Sequence, residues 1–343
     1  MTRVLLTGGS GFIAAQILHT LLGHGHSVVA TVRSEDSATK IRAAYPDTPK
    51  SQLDFCIVRD IAEEGAFDEA LKSDPPFEAI IHTASPFHLN ITDTKKDLLD
   101  PAIIGTTGLL KAIKQHAPSV KRVVITSSFA SMINGTKGNS WTEHTYTEED
   151  WNPITQREAF LDPLSGYRAS KTFAERAAWD FMEKENPTFT LTTMCPPLVF
   201  GPIKHHLDHL DSLNTSNQRV RNFIRGDYKT SIPDTGTSFF LWVDVRDLAL
   251  GHVRAIELPE AANKRFFIAA DYFSNKEIGE IIRKNFPEYQ MELPTDDIKG
   301  GDYPEEGLYK FDHSRTVKLL GIEFRSLEES IVDLVKSLKG IAA

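Results

Sequence analysis

A glycine-rich segment, Thr7-Gly8-Gly9-Ser10-Gly11-Phe12-Ile13-Ala14, separates a short β-rich stretch, Arg3 to Thr7, from an apolar-periodic run, Phe12 to Leu22. Strand, tight turn and helix in that order make half of a βαβ unit, which commits the chain to a parallel neighbour. The pattern then recurs. Strands are expected at Ser27 to Val32, Leu53 to Val58 and Ala79 to Thr83, with a helix at Glu35 to Ala44 and a short one near Phe67. A long helix from about Lys95 to His116 precedes Arg122 to Thr126, whose Val-Val-Ile centre suits a strand buried on both faces. Helical periodicity returns around Tyr167 to Lys184, and a sixth strand follows at Phe189 to Met194. Such alternation specifies an α/β fold with a doubly wound parallel sheet.

Beyond Pro202 the composition shifts: His, Asn and Ser crowd 205 to 218, and helices are expected to start at Asp244 and Asn275. The expected architecture is a nucleotide-binding Rossmann domain over 1–202, rejoined by about 237–270, and a smaller C-terminal α/β substrate-binding lobe over 203–343. That lobe would sit at the carboxyl ends of the strands, where open α/β sheets take ligands. With 343 residues and 41% apolar content, a core can be buried without staples. The only two cysteines, Cys56 and Cys195, lie inside apolar runs, which excludes a disulfide framework or a four-thiolate metal site and suits a reducing, cytoplasmic setting. A net charge of -9 argues against nucleic acid as a partner. The N-terminus enters a strand directly and no run approaches roughly 20 apolar residues, so neither secretion nor a membrane span is expected.

The glycine segment lies where a dinucleotide pyrophosphate would meet backbone N–H groups and the positive end of a helix, so Gly8, Gly9, Ser10, Gly11, Phe12 and Ile13 are the candidate cradle. Both Gly8-x-x-Gly11-x-x-Ala14 and Gly9-x-Gly11-x-x-Ala14 fit the spacing. The residue ending the second strand selects the cofactor, because an acid there binds a ribose 2′-hydroxyl and a cation accommodates a 2′-phosphate. Arg33 occupies it. Glu35 and Asp36 follow Ser34 and suit a helix N-terminus better than a ribose clamp. NADPH/NADP+ is therefore the expected cofactor.

Tyr167 and Lys171 stand four apart in a helical segment, which puts an ammonium beside a phenol. A nearby cation would pull the phenol below its usual value of about 10 and make it a usable general acid. Thr126-Ser127-Ser128 follows the fifth strand at the carboxyl edge, where Ser128 could donate to a substrate oxygen that acquires charge. Glycine turn, serine pair and Tyr/Lys pair, in that order, point to reduction of an aldehyde or ketone. His205-His206-x-x-His209 has metal-like spacing but lacks a third ligand of the usual kind, so no metal is expected. Asp244 and Asp247 read as a capping arrangement, and Trp151 and Trp179 as packing aromatics.

These residues resemble the extended short-chain dehydrogenase/reductases, and within them the dihydroflavonol-reductase-like branch. The likeness runs through TGGSGFIA at 7–14, TVRS at 31–34, HTASPF at 82–87, ITSS at 125–128, YRASK at 167–171, VFGP at 199–202 and VDVRD at 243–247. It implies that Ser128, Tyr167 and Lys171 form the catalytic triad, with Lys171 also touching the nicotinamide ribose. It further implies Asp60 and Ile61 by the adenine, Thr83 and Ala84 by the ribose and pyrophosphate, and Val199 and Ser216 at the nicotinamide end. Departures include Ser37, where relatives often carry Lys, and Leu198, where they often carry an aromatic residue. Phe87, Phe129 and Leu198 are candidate walls of a substrate pocket, although the phenylalanines could equally be core packing. A small carbonyl compound is the expected partner, and a homodimer stays open. Two other functions use the same features: a nucleotide-sugar epimerase or dehydratase that retains its cofactor, and a non-catalytic NADP-binding regulator.

Overall fold

The computed structural model describes residues 1–85, 91–137, 141–207, 209–235 and 239–341. Its first half runs β1 (Arg3–Thr7), α1 (Phe12–Gly23), β2 (Ser27–Val32), α2 (Glu35–Ala44), β3 (Leu53–Ile57), β4 (Ala79–His82), α3 (Asp100–His116) and β5 (Arg122–Thr126). Then follow β6 (Thr145–Tyr146), α4 (Pro163–Glu185), β7 (Thr190–Cys195), β8 (Leu198–Phe200), α5 (Thr215–Arg225), β9 (Leu241–Asp244) and α6 (Val245–Glu257). The chain finishes with β10 (Lys264–Phe267), β11 (Asp271–Tyr272), α7 (Asn275–Asn285), β12 (Lys310–Phe311), α8 (Ser314–Leu320) and α9 (Leu327–Leu338).

Seven strands form one parallel sheet in the order β10-β7-β5-β4-β1-β2-β3. The chain builds outward from β1 to β3, returns to the centre at β4, and builds the other way through β5, β7 and β10. The switch point lies between β1 and β4, and sheets of this class bind ligands in the crevice beyond such a point. One face packs α1 and α6 through Leu6, Ile17, Leu21, Val253 and Phe266, all fully buried. The opposite face packs α3 and α4 through Leu5, Ile80, Leu109, Ile113 and Leu191. Burial on both faces explains why these strands read as continuous apolar runs, and each such side chain contributes about 1.5–3 kcal/mol.

A second core gathers Phe200, Trp242, Phe223, Phe273, Ile282 and Leu334 around the three-stranded sheet β11-β9-β8. The helix caps follow the local sequence. Ser274 and Glu277 form a reciprocal capping box at α7. Asp244 caps α6 by accepting from the Arg246 N–H at 2.8 Å, whereas Asp247 turns to the Arg325 side chain. The short helix expected near Phe67 is instead a run of turns: Gly65 is left-handed at φ 71°, and Phe67 is pinned under the sheet. Among the described residues no helix is long and apolar enough to cross a membrane.

Candidate active site

Three chain segments meet at the switch point. At the end of β1, Gly8 has φ +73° and Gly9 donates its N–H to the Thr31 carbonyl at 2.8 Å. A Cβ on Gly8 would lie 3.0 Å from the Ala84 Cα, and one on Gly9 would lie 2.9 Å from the Ala30 Cβ. Glycine is thus required at both positions for the turn to nest between β2 and the end of β4. Thr7 locks the two strand ends together. Its hydroxyl accepts from the N–H groups of Thr83 and Ala84, both at 3.2 Å, and its carbonyl accepts from the Thr83 hydroxyl at 2.6 Å. Gly11 caps α1 with no side-chain acceptor, so the first helical amides at Phe12 and Ile13 are available to an anion beside Ser10.

Around this cradle, Arg33 stands exposed at the end of β2 and pairs with no acid among the described residues. Ser34 caps α2 and Asp36 faces Lys40 at 3.3 Å, so the acids behind Arg33 serve their helix. Asp60 is exposed and accepts from the Ala62 N–H at 2.8 Å, while Ile61 packs against Gly105 of α3. Val199 donates its N–H to the Ser216 hydroxyl at 3.2 Å, which ties the end of the Rossmann unit to α5.

Ser128 follows β5 and is nearly buried. Its hydroxyl accepts from the Ala130 N–H at 3.1 Å and from the Tyr167 hydroxyl at 3.4 Å. Tyr167 and Lys171 share one face of α4, as their spacing requires. The electrostatics differ from the sequence expectation, in which Lys171 lowers the phenol. Burial raises Tyr167 above its ordinary value, with the Ser128 hydrogen bond acting weakly downward. Burial also pulls the Lys171 ammonium down to about 8, opposed by the charge of Glu175. Desolvation disfavours both ionised forms, so the phenol stays protonated and able to give its proton away.

Glu175 continues the same helical face one turn beyond Lys171, and sequence reasoning passed over it. Its carboxylate accepts from Ser127 and Ser131 at 2.6 Å each, Thr193 at 2.7 Å and Arg265 of β10 at 2.8 Å. Burial pushes this carboxyl up, but the charge and hydrogen bonds of Arg265, with those of the two serines, hold it below its usual value. Arg265 also reaches the carbonyls of Glu148 and Asp150 at 2.6 and 2.7 Å and stacks 3.7 Å over the ring of Trp151. Ser127 therefore faces Glu175 and not the cleft, leaving Ser128 as the hydroxyl beside Tyr167. The signal was available: 167, 171 and 175 recur at intervals of four.

The pocket-wall candidates separate. Phe129 is fully buried, stacked at 4.9 Å on Phe267 and edge-on at 5.3 Å to Tyr146, so it packs behind Ser128 and presents no surface to a ligand. Leu198 is half-buried where β8 begins, opposite Trp242. Phe87 lies outside the described residues. His205 packs edge-on to Phe12 with ring centroids 6.0 Å apart, and burial lowers it to about 4.

Residues 4–269 match the model of the NAD dependent epimerase/dehydratase family. The chain is 47% identical over 339 residues to ketoreductase azaE of Aspergillus niger, covering 98% of this chain and 97% of that one. It is 34% identical to the NADPH-dependent methylglyoxal reductase GRE2 of Saccharomyces cerevisiae, over 98% of this chain and 97% of that one. Among solved structures, Gre2 of Candida albicans in complex with NADPH superimposes with a TM-score of 0.90 at 35% identity, over 98% of each chain.

Proposed function

The chain belongs to the NAD dependent epimerase/dehydratase family, and from that premise we propose that it is an NADPH-dependent reductase of small aldehydes or ketones. The contact of Tyr167 with Ser128, at 3.4 Å beside the switch point, carries the reading. The cradle fits a dinucleotide on three counts: Gly8 and Gly9 leave no room for a Cβ, the α1 amides lack a side-chain cap, and Arg33 offers an exposed guanidinium. When bound, NADPH supplies the hydride. In this reading Gly8 to Ile13 hold the pyrophosphate, Arg33 the 2′-phosphate, Asp60 and Ile61 the adenine, Thr83 and Ala84 the ribose side, and Val199 and Ser216 the nicotinamide end.

The rest is done by side chains of α4 and the β5 turn. Ser128 donates to the carbonyl oxygen and stabilises its growing charge. Tyr167 donates to the same oxygen and finally gives it the phenolic proton, which burial has kept in place. Lys171 orients the ribose and offers a cation beside the phenolate left behind. We assign the cofactor unit to residues 1–202, rejoined by about 237–270, and the smaller substrate-binding lobe to the rest of 203–343. A reducing, cytoplasmic setting suits the unpaired Cys56 and Cys195.

The test is stoichiometric. Purified enzyme should oxidise one NADPH per carbonyl reduced across a panel of aldehydes, dicarbonyls and aryl ketones. An epimerase or dehydratase would turn over a nucleotide sugar with no net consumption, and a regulator would bind NADPH without oxidising it.

A further inference from the structure

Arg168 follows Tyr167 on α4 and is 8% exposed. Its Nε and Nη2 are sealed from solvent and have no acceptor among the described residues. These two nitrogens form one edge of the guanidinium fork, the edge that matches both oxygens of a carboxylate. The carboxylate that acts on Arg168 is Asp162, whose oxygens are already committed at the α4 cap to the Ser165 N–H at 2.9 Å and the Ser165 hydroxyl at 2.7 Å. The other ionisable neighbours are the phenols of Tyr146 and Tyr309, whose oxygens accept from the backbone N–H groups of Asn134 and Phe240.

The surroundings make room for this cation without neutralising it. A Cβ on Gly135 would lie 2.6 Å from the Arg168 Nη1, so glycine there lets the fork pass. The half-exposed ring of Phe239 covers the fork, with the guanidinium carbon 5.2 Å from its centroid, and lies 6.4 Å from the ring of Phe129, next to Ser128. Burying a charge without a partner is expensive, and such a group persists where a ligand supplies the counter-charge. Arg168 directly follows Tyr167 on α4, and the Phe239 ring is the side chain that lies over its fork.

We propose that Arg168 is the anion-recognition group of the substrate pocket, and that the natural substrate is a keto acid whose carboxylate displaces the Phe239 ring and pairs with the free edge of the guanidinium. The proposal rests on the carbonyl-reductase reading and names the substrate class of the same site. Reduction itself is unchanged: one hydride and one proton reach the carbonyl, and the carboxylate takes no part.

The experiment compares levulinate with its neutral methyl ester, with NADPH, for the parent, Arg168→Met and Arg168→Lys. The parent should favour the acid at least tenfold in kcat/KM. The Met variant should bring the acid-to-ester ratio to about one, and Lys should restore part of it. Equal use of acid and ester by the parent, or a preference that survives in Arg168→Met, would overturn the proposal. Stability gives an independent check, because loss of an unpartnered cation should leave Tm equal or higher; a marked fall would make Arg168 a structural tie and sink the idea. If no carbonyl compound is reduced at all, the reductase reading fails by itself. Calorimetry with pentanoate and the NADP+ complex then still decides the assignment: binding to the parent but not to Arg168→Met supports it, and equal or absent binding refutes it.

Discussion

The crevice has two walls built on different principles. The wall formed by β1, β2 and β4 is made of backbone: a left-handed Gly8, a Gly9 N–H bonded to Thr31, and a threonine that laces two strand ends. The wall formed by α4 and the β5 turn is made of side chains, Ser128, Tyr167 and Lys171, backed by a buried network in which Glu175 joins Ser127, Ser131, Thr193 and Arg265 of β10. A backbone wall tolerates most side-chain changes that spare its glycines, and it binds what every member of such a fold binds. A side-chain wall can be retuned residue by residue, so chemistry and substrate choice reside there.

The sharpest way to break that contrast is to remove one atom from the second wall. Tyr167→Phe should lower kcat/KM about 10³-fold or more, at the upper end of what a general acid supplies, while the affinity for NADPH changes little. Titrating the cofactor by fluorescence alongside steady-state rates separates the two. A variant as active as the parent would mean that the proton comes from elsewhere.

Next in size is Glu175→Gln, which leaves the Arg265 charge buried with a neutral partner. Breaking such a pair costs about 3–5 kcal/mol, readable as a large drop in Tm. It should also act on Lys171. Burial already holds that ammonium down to about 8 and the Glu175 charge opposes it, so neutralising Glu175 moves the alkaline limb of the rate profile to lower pH. An unmoved limb together with the stability loss would reduce Glu175 to scaffold.

The contrast also governs what the residues revealed before any coordinates. Strand positions, the glycine turn and the Tyr/Lys spacing were legible because each depends on a local rule: a short apolar run bounded by turns, a φ available to glycine, a helical turn of about four. The seventh strand, β10, was anticipated only as a region rejoining the sheet, since Lys264 to Phe267 acquires its meaning from pairing with β7, some seventy residues earlier. Phe129 was ambiguous for a similar reason. Whether an aromatic residue after a strand faces a pocket or a core depends on Tyr146, Phe267 and Tyr309, which no local pattern connects to it. Glu175 was overlooked although its interval from Lys171 was visible, because a glutamate on a helix is usually a solvated one.

Acid should weaken the supports of both walls. His82 of β4, bonded to the Thr7 hydroxyl at 2.7 Å, is held down to about 3 by burial and by the Lys171 charge, and burial holds His252 of α6 down to about 4. Both stay neutral in the folded protein where an unfolded histidine would bind a proton. Their stabilising effect is therefore complete above pH ~6.5 and is lost as pH falls toward the folded values, about 2 kcal/mol for each at pH ~5. Denaturant titrations across that range should show the loss, and His82→Gln should remove one share of the slope. A pH-independent midpoint between these limits would show that neither ring is neutral when folded.

The smallest effect tests the side chain that the proposed reading assigns to the choice of cofactor. In the proposed reading the glycine cradle takes the pyrophosphate, which NADH and NADPH share, and Arg33 is the side chain assigned to the 2′-phosphate. Its guanidinium is exposed and screened by solvent, which limits a charge-assisted bond to roughly tenfold in affinity. Arg33→Ala should raise KM for NADPH about tenfold and leave KM for NADH where it was, with kcat unaffected because Tyr167 and Ser128 are untouched. The NADPH effect should shrink further as salt is added, as it would for any exposed charge pair. Were both cofactors to weaken equally, Arg33 would be supporting the turn and not reading the phosphate, and the first wall would have no discriminating side chain at that position.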